Sequence, residues 1–68
     1  MDYLYIEIEK HFTIIDKYNN HFNICAFSIG EIIDIIQKTF KNGEFVILEI
    51  SDETGEILNN FTFDNSTL

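Results

Sequence analysis

Sixty-eight residues bound this chain to one domain, which buries only about 60% of the surface its unfolded form exposes, and the single cysteine, Cys25, excludes an internal disulfide. Twelve acidic residues face four lysines and no arginine, a net charge of −8 that argues against direct grip on phosphate backbones or anionic membranes. With 46% apolar residues, seven Phe and three Tyr, the composition is that of a folded globular domain.

No apolar run approaches the roughly 18 residues of a membrane span, and no basic-then-apolar leader opens the chain. Together with the free cysteine, this makes a reducing cytoplasm the expected setting. The triplets Asn60-Phe61-Thr62 and Asn65-Ser66-Thr67 are then chance matches to the glycosylation pattern.

From Leu4 to Ile14 the even positions Leu4, Ile6, Ile8, Phe12 and Ile14 are apolar, broken only by Lys10. The odd positions Tyr3, Tyr5, Glu7, Glu9, His11 and Thr13 are polar or amphipathic, so the period is two and the stretch reads as strand. Its length predicts a bend near Glu9–His11, or two short strands in succession. Asn19-Asn20 signals a turn, and Phe22–Phe27 reads as the returning strand. A three-residue loop at Tyr18–Asn20 sets Ile14 opposite Ile24 and Phe12 opposite Ala26, with one apolar face shared by both strands.

A helix over about 29–42 follows. Ser28 with Glu31 forms a capping box, and Gly43 is expected as the left-handed stop. At 100° per residue Ile29, Ile32, Ile33, Ile36 and Phe40 form one stripe. Ile35 lies beside it, either widening the stripe or meeting another chain. Phe45–Ile50 is a strand apolar on both faces, Ser51–Glu56 a hairpin turn closing on a left-handed Gly55, and Ile57–Phe63 the returning strand. Asp64–Leu68 reads as a frayed tail after a single compact domain over 1–63.

The elements add up to an α+β fold: ββαββ, one antiparallel sheet of about four strands with a single helix on one face. One helix covers one face only. Yet Phe45, Ile47, Phe61 and Phe63 point one way, and Val46, Leu48, Ile50 and Leu58 the other. One of the two sets therefore needs cover from elsewhere, a partner or a second copy.

Candidate chemistry is sparse. His11, His21 and Cys25 fall on the sheet face away from the helix. His21 and Cys25 lie roughly 13 Å apart along a strand, too far to share a metal. His11 is expected diagonal to Cys25, so neither a metal site nor a catalytic group is expected, and no cofactor. Gly30 and Gly43 form no phosphate cradle, and Asp52-Glu53-Thr54-Gly55-Glu56 is too short for a calcium loop.

Charge distribution is the stronger signal. Residues 1–43 hold six acids and all four lysines, a net −2, whereas residues 44–68 hold Glu44, Glu49, Asp52, Glu53, Glu56 and Asp64 without a cation, a net −6. Tyr3, Tyr5, Glu7 and Glu9 alternate on one strand face, with Glu49 expected near. Aromatics anchor interfaces and carboxylates steer basic partners. The expected partner-binding residues are therefore Tyr3, Tyr5, Glu7, Glu9, Glu44, Glu49, Asp52, Glu53 and Glu56.

In size, acidity and lack of catalytic residues the chain is similar to small phage-encoded inhibitors of host defence enzymes, among them anti-CRISPR proteins, anti-restriction proteins and glycosylase inhibitors. The likeness is one of class and covers no alignable stretch. It implies a non-enzymatic inhibitor of a basic nucleic-acid-handling protein, acting as a nucleic-acid mimic. The alternative is a self-associating module, a homodimer without inhibitory role.

Overall fold

The computed structural model describes residues 8–66. Its order is ββαββ: β1 Lys10–Ile15, β2 His21–Ala26, α1 Ile29–Thr39, β3 Gly43–Ile50 and β4 Ile57–Asn65. The four strands form one sheet in the order β2-β1-β3-β4, every neighbour antiparallel. The expected α+β architecture is the one observed. Because β2 and β3 each run against β1, they are parallel to one another, and α1 makes the long crossover that such a relation requires.

The first strand starts at Lys10, within the break expected near Glu9–His11. Positions 4–7 of the expected strand lie outside the described residues, and Ile8 and Glu9 precede β1 without joining a strand. The register explains the start at Lys10. Lys10 pairs with Ala26 and His11 with Ile50, the last residues of β2 and β3, so Ile8 and Glu9 have no partner in either strand. Ile8, expected on the covered face, is 75% exposed.

The β1–β2 hairpin is built by Asp16. Its Oδ1 accepts from the backbone N–H of Tyr18 and of Asn20, both at 2.9 Å, and its Oδ2 accepts from Asn20 Nδ2 at 2.9 Å. Asn19 takes the left-handed conformation at φ 65°. Asp16 N donates to Asn20 O, so the three-residue loop is 17–19, one residue earlier than expected. Ile14 therefore pairs with Phe22 and Phe12 with Ile24, a correction of two positions to the expected partners. A two-residue slide preserves the faces, so the apolar grouping survives.

Helix α1 begins as its sequence dictates. Ser28 Oγ accepts from Glu31 N at 3.3 Å, and Glu31 Oε2 accepts from Phe27 N at 2.8 Å, so the box closes one residue before the cap. Its end differs from expectation. The helix stops at Thr39, Phe40 is extended, and Gly43 is the first residue of β3 rather than a helix stop. Tertiary contacts override the local signal here. The Phe40 ring meets Phe22 and Phe45 edge-on, at centroid distances of 5.0 and 5.5 Å, which draws the chain out of the helix. Asn65 then supplies the cap: its buried Nδ2 reaches Ile36 O at 3.3 Å, Phe40 O at 3.4 Å and Lys41 O at 3.2 Å. The strand carrying Asn65 thus extends into the segment expected as a frayed tail. Asp64 pairs with Glu44 and Asn65 with Gly43.

Phe12, Ile14, Ala26, Ile32, Ile36, Phe45 and Ile47 form the buried core between helix and sheet. Ile35 is half-buried against it, which settles its role as a widening of the stripe. At the far hairpin Ser51 N donates to Glu56 O, Gly55 N donates to Ser51 O, and Gly55 adopts φ 77°. The β3–β4 register shifts by one between Glu49 and Ile50, because Leu58 is an extra residue between Ile57 and Asn59.

Candidate protein-docking face

Strand parity sends Phe12, Ile14, Phe45 and Ile47 towards the helix and the alternate residues to the opposite face. Along β1 and β3 that second face carries Ile15, Val46, Leu48 and Ile50, all half-buried. The register sets Ile15 beside Val46, Thr13 beside Leu48 and His11 beside Ile50, so the apolar side chains form a continuous central stripe. Thr13 bonded to Asn23 at 2.8 Å flanks it on one side, and Asn60 and Thr62 flank it on the other. No described element lies over this stripe.

Each end of the stripe is acidic. At one end Glu44 and Asp64 are directly opposite on β3 and β4, and both are exposed. They border an open hollow of about 370 Å³ lined also by Ile15, Asp16, Val46 and Thr62, with Lys17 the one cation present. Like charges facing each other across a ladder are destabilising, by a few tenths of a kcal/mol up to about 1. Asp16, on the same rim, is held below the ordinary aspartate range, chiefly by the Asn20 side-chain hydrogen bond and then by the Asn20 backbone N–H. It therefore remains an anion at any physiological pH.

At the other end Glu9, Glu49, Asp52 and Glu53 line a second open hollow of about 320 Å³ with the apolar side chains Ile8, Ile50 and Leu58. Ile8 and Leu58 are 75% and 55% exposed, an apolar surface inside a ring of carboxylates. The structure thus brings Glu9, Glu49, Asp52 and Glu53 together, and sets Glu44 apart from them with Asp64. Glu56 sits in the exposed hairpin turn, its N–H donating to Thr54 Oγ1. Tyr3, Tyr5 and Glu7 fall outside the described residues.

Glu49 lines the same hollow as Glu9, although its pairing with Phe12 sets it on the helix side of the sheet, where it accepts from Asn59 Nδ2 at 2.9 Å. One expectation needs correction. His11 is directly opposite Cys25, not diagonal to it, because the hairpin register is two residues from the one expected. Sequence reasoning also missed Asp64, which it assigned to the tail. No periodic signal marked it: the apolar alternation ends at Phe63, and the inward position 65 is the polar Asn65, buried because its amide reaches the carbonyls at the helix end.

Ion pairing leaves most of this charge uncompensated. Among the described residues the pair between charged side chains is Lys38–Asp34 on the outer face of the helix, at 2.9 Å, and His11 Nε2 lies 3.9 Å from Asp52 Oδ2, an ion pair only when the imidazole is protonated. No group of three described side chains is placed to hold a metal ion, and no described helix is long and apolar enough to cross a membrane. No family model matches the chain, and no curated protein or solved structure matches it significantly.

Proposed function

We propose that this chain is a small, non-enzymatic binding protein whose open sheet face docks on a basic, nucleic-acid-handling protein of the cytoplasm and inhibits it. The carrying observation is the cross-strand pair Glu44–Asp64. Two carboxylates kept opposite each other, beside an apolar floor of Ile15 and Val46, give up stability in the free protein. An arriving lysine or arginine relieves that repulsion, so the pair favours a cationic ligand. The second acidic cluster, around Ile8 and Leu58, repeats the chemistry at the other end of the stripe. Fixed carboxylates beside an apolar stripe offer a basic partner the anionic and apolar chemistry it meets on nucleic acid, which is the basis of the proposed mimicry.

The same pattern weighs against a second copy as the cover. Two identical faces brought together about a two-fold axis must oppose either like ends or unlike ends. Both ends are acidic, so either arrangement sets carboxylate against carboxylate.

Affinity capture with the wild-type chain, with Glu44→Lys/Asp64→Lys, and with duplex DNA as competitor tests the reading. Basic nucleic-acid-binding proteins are expected on the wild type, displaced by the duplex, and lost from the charge-reversed chain. Capture of the same proteins by both chains, undiminished in 0.5 M salt (a Debye length of roughly 4 Å), would refute electrostatic docking.

A further inference from the structure

Beside the acidic end of the open face, the sheet assembles a thiol, an imidazole and a carboxylate. Cys25 Sγ lies 3.4 Å from His11 Nδ1, and His11 Nε2 lies 3.9 Å from Asp52 Oδ2. Three elements supply them: β2, β1 and the β3–β4 turn, and all three residues are exposed. Their order carries chemical meaning. At 3.9 Å Asp52 makes no direct hydrogen bond to Nε2, but its charge favours the tautomer with the proton there, in which the Nδ1 lone pair faces the thiol. Beside His11 and Asp52, which line it with Thr13, Asn23, Ile50 and Ser51, lies an open hollow of about 360 Å³ with room for a small molecule.

We propose that Cys25 is a reactive thiol, with His11 as its base and Asp52 as the residue positioning that base, and that it exchanges with small cationic disulfides. The Cys25 S–H proton passes to His11 Nδ1 as the sulfur attacks one sulfur of the disulfide. A new S–S bond forms at Cys25 while the original S–S bond breaks, and the departing thiolate recovers the proton from the imidazolium. Cys25 is oxidised to the mixed disulfide and one equivalent of small thiol is released, so no other oxidant is needed. Exchange of this kind needs an accessible sulfur and an in-line approach rather than a closed pocket, which suits an open sheet face.

The surroundings select the charge of the co-reactant. The hollow at this end of the sheet, which His11 lines, is bordered by Glu9, Asp52 and Glu53, with Glu49 reaching it from the helix side, and Lys10 is the one cation among the lining residues. A dicationic disulfide of an aminothiol is drawn to this end of the sheet, and an anionic one is repelled. The chemistry shares Asp52 and its acidic neighbours with the docking reading but involves neither Glu44 nor Asp64, so reversing the charge of that pair tests docking without touching the thiol.

The test is the rate of mixed-disulfide formation on the full chain, read by intact mass at neutral pH, with cystamine and with oxidised glutathione as probes. Cystamine is expected to react on the order of tenfold faster with the wild type than with His11→Gln, whose fold is checked by circular dichroism. Asp52→Asn is expected to fall between them, with Asp52→Glu restoring the wild-type rate, a rescue that loss of packing alone does not produce. The preference for cystamine over oxidised glutathione is expected to shrink when the chain is unfolded in urea. Equal rates for wild type and His11→Gln, or a native thiol no faster with cystamine than the urea-unfolded one, overturn the proposal.

Discussion

Replacing Asn65 by Ala is the most direct probe of how this small sheet holds its helix. Asn65 is 3% exposed, and its amide reaches three carbonyls at the end of α1 and just beyond it, at 3.2–3.4 Å. One NH₂ has two protons, so at most two full hydrogen bonds exist at a time. At about 1 kcal/mol each, their loss is worth roughly 2 kcal/mol. Ile36 O also accepts from Phe40 N at 3.0 Å, and the Phe40 and Lys41 carbonyls are only part-buried, so no strong desolvation penalty is added. For a domain of this length the total stability is on the order of 3–10 kcal/mol, and each kcal/mol moves the midpoint by roughly 4–8 °C. Asn65→Ala is therefore expected to lower Tm by roughly 8–16 °C in a far-ultraviolet circular dichroism melt. A chain ending at Asp64, which also loses the Asn65–Gly43 pairing, is expected to fall at least as far, while Asn60→Ala on the exposed face is expected to move Tm by less than about 4 °C. An Asn65→Ala melt within about 2 °C of wild type would refute the reading of Asn65 as the helix cap.

The remaining predictions concern charge and turns. Glu44→Lys converts a like-charge cross-strand pair into an attractive one and is expected to raise stability by about 0.5–1 kcal/mol in urea titration while weakening partner capture; destabilisation would contradict the repulsion assigned to Glu44–Asp64. The carboxyl of Asp16 titrates lower in the folded chain than in the unfolded one, so its stabilisation is complete above the ordinary aspartate range and fades as pH falls through the lowered folded value. Asp16→Asn is accordingly expected to reduce the loss of stability between pH 7 and pH 3, seen as a smaller shift of the urea midpoint; an unchanged shift would show that Asp16 does not contribute. Gly55 has φ 77°, and no atom lies within 4 Å of the point a Cβ would occupy, so Gly55→Ala meets backbone strain without a clash. It is expected to cost about 1 kcal/mol, measured by the same titration, and a neutral result would mean that the turn relaxes to another type.

What the amino-acid order determined by itself was local and periodic. Ser28 and Glu31 start the helix because their partners lie within four residues, and Gly55 closes its turn for the same reason. Alternation sorted Phe12, Ile14, Phe45 and Ile47 onto the covered face, since parity is indifferent to a slide of two. Pairing between distant segments was beyond that reach. Whether Ile14 meets Ile24 or Phe22 depended on Asp16 gathering the loop one residue earlier, and with it whether His11 faces Cys25. The helix end is the sharper case. Local chemistry pointed to Gly43, yet an amide 25 residues beyond Phe40, together with a ring packed edge-on between Phe22 and Phe45, stopped the helix at Thr39. Such long-range contacts carry no sequence period, and only the folded sheet brought Glu44 to Asp64 and left both ends of its open face acidic.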